Sequence, residues 1–504
     1  MLNQKQKGYA TVLTLILFSA LGLSLFSVFN SGQIVTHKLK LQNAVDAATY
    51  SSANVVAREM NYMAYTNRAM VANQLAIGQL VALHSWSRQI HEVSKKLKEI
   101  ASYVSWFPYG GTQFYNAMNW LEQGIGTAND LLDIAYMSEP IAVEHGAIEA
   151  LSQSQAAVHI ATAAIFNQVL EKVRDDNNKS NAADDVIVSA LFTPVAIKKI
   201  LQSVKRIKES DLSSNGSSAS DALTDYNSFK GIVEKSEKTD GSGFGFVGTK
   251  KATGRSYNWL DFSIVEINKR GGNEFALNKE NGKYLWEWSA MDTVVFYLNW
   301  PGPDWLTGHV DIDLGGGAAH ATNDSSYDTY YKDTSSSWWF WGCKVRQAEW
   351  GTAAGGRNCG AAGDAADDYS DNKIGSAGML NSFYKLNPSE EGAVVGPEFV
   401  VSFAKNQSGV RTSNKVANLS GGSFDIEKEG NLSKGDNYMF AVAKAQVYFS
   451  RSPDSIDGKL SGFDREFDKK QEFGNLFNPY WQVRLIEYDA TDILFAQGVL
   501  SSVL

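Results

Sequence analysis

Cysteine is nearly absent from this sequence: only Cys343 and Cys359 occur in 504 residues, and no histidine lies close enough in sequence to complete a short-spaced zinc site. Basic charge is also scarce. With 46 Lys and Arg against 55 Asp and Glu, no cationic excess exists to displace counterions from phosphate, which argues against a nucleic-acid partner. Catalytic signatures are missing too: there is no G-x-S-x-G elbow, no Walker loop and no H-E-x-x-H among the seven histidines. The expectation is therefore a protein that is not an enzyme. A membrane-tethered hydrolase built from scattered carboxylates is the catalytic alternative. Proline is absent before Pro108, so nothing in the first hundred residues forces a helix to stop.

What fills that proline-free stretch is informative. Tyr9 to Phe29 contains no charge over 21 residues, and at about 1.5 Å per residue it reaches across about 30 Å of hydrocarbon. A cleavable signal has a shorter apolar region and small residues at its end, whereas Phe26, Val28 and Phe29 close this one. The reading is an uncleaved anchor, with Tyr9, Leu13, Leu17, Gly22 and Phe29 marking its length. Lys5 and Lys7 on one side balance Lys38 and Lys40 on the other, so the positive-inside count leaves orientation open. The simplest reading of Cys343 and Cys359 is a disulfide, worth about 3 kcal/mol, and two unpaired buried thiols are the competing one. A disulfide places the bulk of the chain outside the cytoplasm, with residues 1–8 as a cytoplasmic tail.

After Asn30-Ser31-Gly32, apolar residues at Leu41, Ala44, Val45, Ala48 and Val55 recur at intervals of three and four, and Met60, Met63, Val71, Leu75 and Gly78 continue the stripe. Few charges interrupt it, so the helix must be packed on several sides. A second helical region from Gly111 to Val173, restarted at Pro140, is expected to fold back as a hairpin, followed by a short helix from Pro194 to Glu209. DLSSNGSSASDALTD then reads as a linker within 211–244. From residue 245 the pattern turns to strands: SYNWLDFSIVEI, KYLWEWSAMDTVVFYLNW, PEFVVSFA, MFAVAKAQVYFS and YWQVRLIEY. The fold class expected is α+β: a transmembrane helix (9–29) running into a helical stalk and bundle (30–210), then a largely antiparallel β domain (245–504) with a long inserted loop at 302–376.

Candidate ligand sites are weak. Gly243 to Gly248 matches G-x-G-x-x-G but follows no strand. Asp333-Thr-Ser-Ser-Ser337 has the spacing of an integrin-like cation site without the apolar strand before it. Asp311, Asp313, Asp324 and Asp328, or Asp364, Asp367 and Asp368, are calcium candidates without EF-hand spacing, and solvated acidic loops are the simpler reading. No cofactor is expected beyond such an acidic-loop cation.

Lys7-Gly8-Tyr9, the apolar span and LQNAVDAATYSSANVVA (Leu41 to Ala57) resemble the N-terminal module of Tad (Flp) pilus assembly proteins of the TadG-like branch. GNLFNPYWQVRL (Gly474 to Leu485) is similar to a segment met in long proteins of this kind. The resemblance implies a single-pass protein of the bacterial inner membrane that acts through helix packing with other pilus or secretion-apparatus subunits, or with copies of itself. Leu41, Ala44, Val45, Ala47, Ala48 and Ala53 are the expected interaction helix, small residues allowing close backbone approach. Type IV pilins carry glutamate at the fifth position after a cut following Gly8, and Leu13 stands there instead, which favours an uncleaved anchor over a pilin. The alternative reading is a surface adhesin or minor pilin whose Trp338-Trp339-Phe340-Trp341 cluster touches a glycan or host surface.

Overall fold

Helix α1 runs unbroken from Lys7 to Val104, 98 residues, straight through Asn30-Ser31-Gly32. Propensity alone would weaken it there; Asn30 is buried, while Ser31 and Gly32 are exposed. The computed structural model describes residues 7–105, 111–136, 139–178, 187–190, 193–213, 217–236, 257–261, 265–280, 283–300, 308–321, 380–387, 395–406, 438–450 and 474–494. Helices α2 (Gly111–Tyr136) and α3 (Glu139–Asn178) follow, Pro140 sitting in the first turn of α3 where its missing N–H costs nothing.

The chain divides into two compact units, each drawn from separated stretches. The first takes Met1–Tyr65, Gln155–Lys205 and Tyr384–Leu504. Its sheet has the order β1-β8-β9-β10, from β1 (Ile187–Ala190), β8 (Val395–Asn406), β9 (Tyr438–Phe449) and β10 (Trp481–Ile486), with every neighbouring pair antiparallel. Alternation along the strands sorts the faces. Phe399, Val401 and Phe403 of β8 and Met439, Ala441, Ala443, Ala445 and Val447 of β9 join the core with the α1 stripe and with Phe166 and Leu170 of α3. The other face carries Glu398, Lys444, Gln446 and Arg484 in a hydrogen-bonded lattice. Burial pulls the Lys444 amine down, but hydrogen bonds to Glu398 and Asp492 and their charges outweigh it and hold it above its ordinary value.

The second unit takes Thr66–Ser154 and Arg206–Phe383. Here α2 lies antiparallel to the end of α1, with Lys98 paired to Glu122 at 3.2 Å and Gly126 set against His91. This is the hairpin read from the sequence. Its sheet has the order β3-β4-β5-β6, from β3 (Tyr257–Asp261), β4 (Val265–Glu280), β5 (Lys283–Trp300) and β6 (Gly308–Ala321), again antiparallel throughout. Glycines let α1 lie directly on this sheet. A Cβ at Gly317 would meet the backbone of Ser85 and Gln89, and Gly315, at φ +148°, would meet Glu92 and Val93.

The α+β class and the antiparallel sheets are as expected, with four local differences, the first being that SYNWLDFSIVEI is divided between β3 and the start of β4. Strand β6 occupies Gly308–Ala321, where the sequence predicts an inserted loop: Gly-Gly-Gly-Ala-Ala has little strand propensity, yet it gives α1 room to pack. Helix α6 (Ser217–Ser236) forms where the sequence predicts a Ser-rich linker, burying Ala222, Tyr226, Phe229 and Val233 at spacings of three and four. The helix expected from Pro194 to Glu209 ends sooner: α4 (Thr193–Ser203) gives way to β2 (Val204–Ile207), which pairs with β7 (Phe383–Leu386), and α5 (Glu209–Leu212) follows. The helical and β-rich stretches of the sequence thus each contribute to both units.

Candidate anchor and assembly helix

Residues 9–29 of α1 are bare: every one is exposed except Gly22, which is intermediate. Tyr9, Leu13, Leu17 and Phe29 of the expected anchor are all among the exposed large apolar side chains. Polar groups in this stretch turn inward on the backbone. Thr14 donates to the Ala10 carbonyl, Ser19 to that of Leu15 and Ser24 to that of Ala20, at 2.8–3.0 Å, so these hydroxyls need no water. Among the described residues, α1 is the one helix long and apolar enough to cross a bilayer.

Beyond Phe29 one face of α1 becomes covered. Leu41, Ala44, Val45, Ala48 and Ala53 are at most 2 % exposed, buried in the first unit's own core, while Ala47 is exposed. The small residues do allow close approach, and the partner that takes it is the chain's own sheet: Gln42 Nε2 donates to the Val442 carbonyl of β9 at 3.0 Å. Leu39, Asn43, Ala47, Tyr50 and Arg58 form the open face of the same helix, at intervals of three, four and eight. Adding bulk should separate the two faces. Ala48→Leu is expected to destabilise the first unit by about 1–3 kcal/mol through overpacking, whereas Ala47→Leu should stay within about 0.5 kcal/mol. Thermal unfolding of the detergent-solubilised protein distinguishes them.

Two polar fasteners that sequence spacing did not reveal hold α1 in place. Asn61 pairs reciprocally with the start of β10, its Nδ2 donating to the Trp481 carbonyl and its Oδ1 accepting from the Trp481 amide, both at 2.9 Å. The GNLFNPYW segment thereby docks on the helix, with Leu476 and Trp481 in the core. Two residues earlier on α1, Glu59 Oε1 meets His159 Nδ1 of α3 at 2.5 Å, both side chains nearly fully buried. The His159 ring leans on Tyr384 at 5.2 Å. Burial pushes the Glu59 carboxyl above its ordinary value, opposed by the hydrogen bond and charge of His159 and by Thr162. Walled in by Tyr384 and Thr162, this pair ties α1 to α3.

The remaining candidates fall differently. Asp311 and Asp313 lie in β6, paired with Tyr297 and Val295 of β5. Among the described residues no three His, Cys, Asp or Glu side chains gather as a metal site. Cys343, Cys359, Asp324, Asp328, Asp333, Asp364, Asp367, Asp368, the tryptophan cluster and Gly243 to Gly248 lie outside the described residues.

Residues 8–55 match the Tad family model, Flp pilus-assembly TadE/G-like, on the stretch from which the resemblance was read. No curated protein matches the chain, and neither does any solved structure.

Proposed function

We propose that this chain, which carries a Tad module over residues 8–55, is a single-pass assembly component of a Tad (Flp) pilus or related secretion apparatus, of the TadG-like branch. It is held in the bacterial inner membrane by residues 9–29, with residues 1–8 cytoplasmic and the bulk of the chain outside, and it works by packing and not by catalysis. The observation that carries this reading is the continuity of α1: the matched module is one helix whose first part is bare and whose second part is the core of a folded unit. Such an element fixes an extracytoplasmic domain to the bilayer without a flexible joint. Contact with other subunits goes through the faces left open, which are the anchor itself and the stripe of Leu39, Asn43, Ala47 and Tyr50.

Charge in the anchor tests it. Leu17 and Leu21 are both more than half exposed near the middle of the span, and each arginine placed at the centre of such a helix costs about 2.5–3.5 kcal/mol of insertion. The Leu17→Arg, Leu21→Arg double variant is expected to leave the carbonate-resistant membrane fraction. Retention there at the wild-type level would overturn the anchor. Photo-crosslinking from position 47 tests the open stripe, with adducts to other pilus components expected and their absence counting against that face.

A further inference from the structure

We propose that Lys269 and Asp292 are joined by an intramolecular side-chain amide, a covalent tie between β4 and β5. In the β4–β5 register Gly271 stands opposite Asp292 and Val294 opposite Lys269, so the two reactive side chains are diagonal neighbours on one face. Their geometry is enforced. Lys269 Nζ sits directly against Asp292 Oδ1, and the side chains are 3 % and 0 % exposed. Gly271 makes this meeting feasible, because a Cβ at that position would collide with both the amine and the carboxylate. From α1, the Ser85 hydroxyl donates to Asp292 Oδ2 at 2.8 Å and lies 3.1 Å from the Gly317 carbonyl oxygen. The far carboxylate oxygen is thus already engaged by a proton donor.

The reaction balances within the site. One ammonium proton first passes from Nζ to the carboxylate it touches, and the neutral amine then attacks Cγ of Asp292; the Nζ–Cγ bond forms and the Cγ–Oδ2 bond breaks. Two of the three ammonium protons leave with Oδ2 as water, and the third stays on the amide nitrogen. Ser85, whose hydroxyl already donates to Oδ2, is placed to help protonate the departing oxygen. No oxidant, nucleotide or metal is required. Holding the two groups in contact replaces a bimolecular condensation by an intramolecular one. Exclusion of water removes the competing hydrolysis, and converting two buried charges to one neutral amide removes their desolvation penalty. The product clamps the adjacent strands that carry Phe275 and Trp288, so they cannot slide past one another. This inference stands independently of the anchor and of any partner.

Intact-mass spectrometry under denaturing conditions, on the full-length chain purified from membranes, decides it. The expected mass is one water below that of the sequence, and tryptic digestion should give a branched peptide joining Lys269 to Asp292 with no cleavage after Lys269. Lys269→Arg should restore the full sequence mass, and Ser85→Ala should give a mixture of tied and untied chains. The full sequence mass in wild-type protein that unfolds cooperatively, with cleavage after Lys269, would show an ion pair only and overturn the proposal. Loss of water without the branched peptide would overturn it equally.

Discussion

Replacing His159 with leucine is expected to destabilise the first unit by about 3–5 kcal/mol, because breaking a buried pair leaves the other group uncompensated. Glu59 has its partners at His159 and Thr162, and its side chain is only 2 % exposed. Hydrogen exchange of β8 and β9 reads the loss directly, since both strands pack in the core that the pair fastens. Removing both polar groups, with leucine at 159 and methionine at 59, should recover most of the stability, as apolar replacements of similar volume commonly do. A double variant no better than His159→Leu alone would mean that the imidazole acts by its packing on Tyr384 and not by pairing with Glu59.

The same pair sets a pH dependence of definite sign. Burial raises the Glu59 carboxyl above its ordinary value of 4.5, so the folded unit binds this proton more tightly than the unfolded chain does. That contribution to stability is fully present below the unfolded value and is lost as pH rises through the folded one. Unfolding midpoints of the wild-type protein should therefore fall as pH climbs from the ordinary carboxylate range, and Glu59→Gln, which cannot titrate, should flatten that slope. The Lys444 lattice lies on the opposite face of the first unit's sheet, so its pH response should persist in the Glu59→Gln protein.

The long helix was legible because little in its sequence opposes it beyond Asn30-Ser31-Gly32: no proline, few charges and a recurring apolar stripe. Which partner covers the stripe was not. Ala44 and Ala48 allow close approach to anything, and a helix buried under its own sheet has the same spacing as one buried against another subunit. Strand β5 was readable from its aromatic and β-branched run, whereas β6 was not, since its glycines are chosen for what lies on them and not for the strand they form. The Glu59–His159 pair joins residues 100 positions apart, and no local periodicity marks such a meeting. Asp292 falls within a run that reads as a strand, but Lys269 lies two residues beyond SYNWLDFSIVEI, and only the register shows that the two share a face.

Trp288→Ala should cost the second unit about 3–5 kcal/mol, the usual toll of emptying a buried tryptophan site. The indole is fully buried, stacks on Phe275 with ring centroids 4.7 Å apart, and donates from Nε1 to Gln74 Oε1 at 3.3 Å. Its fit depends on Gly78 of α1, where a Cβ would come within 2.7 Å of the ring. The tryptophan and the glycine are therefore two halves of one contact, and Gly78→Ala should also destabilise the unit, since the ring is rigid and already stacked on Phe275. Combining the two changes discriminates. Trp288→Ala opens space where the new methyl group would otherwise clash, so Gly78→Ala should cost much less in that background than alone. Equal cost in both backgrounds would show that the glycine matters for the helix backbone and not for seating the indole, and α1 would then owe its place on this sheet to Gly315 and Gly317 instead.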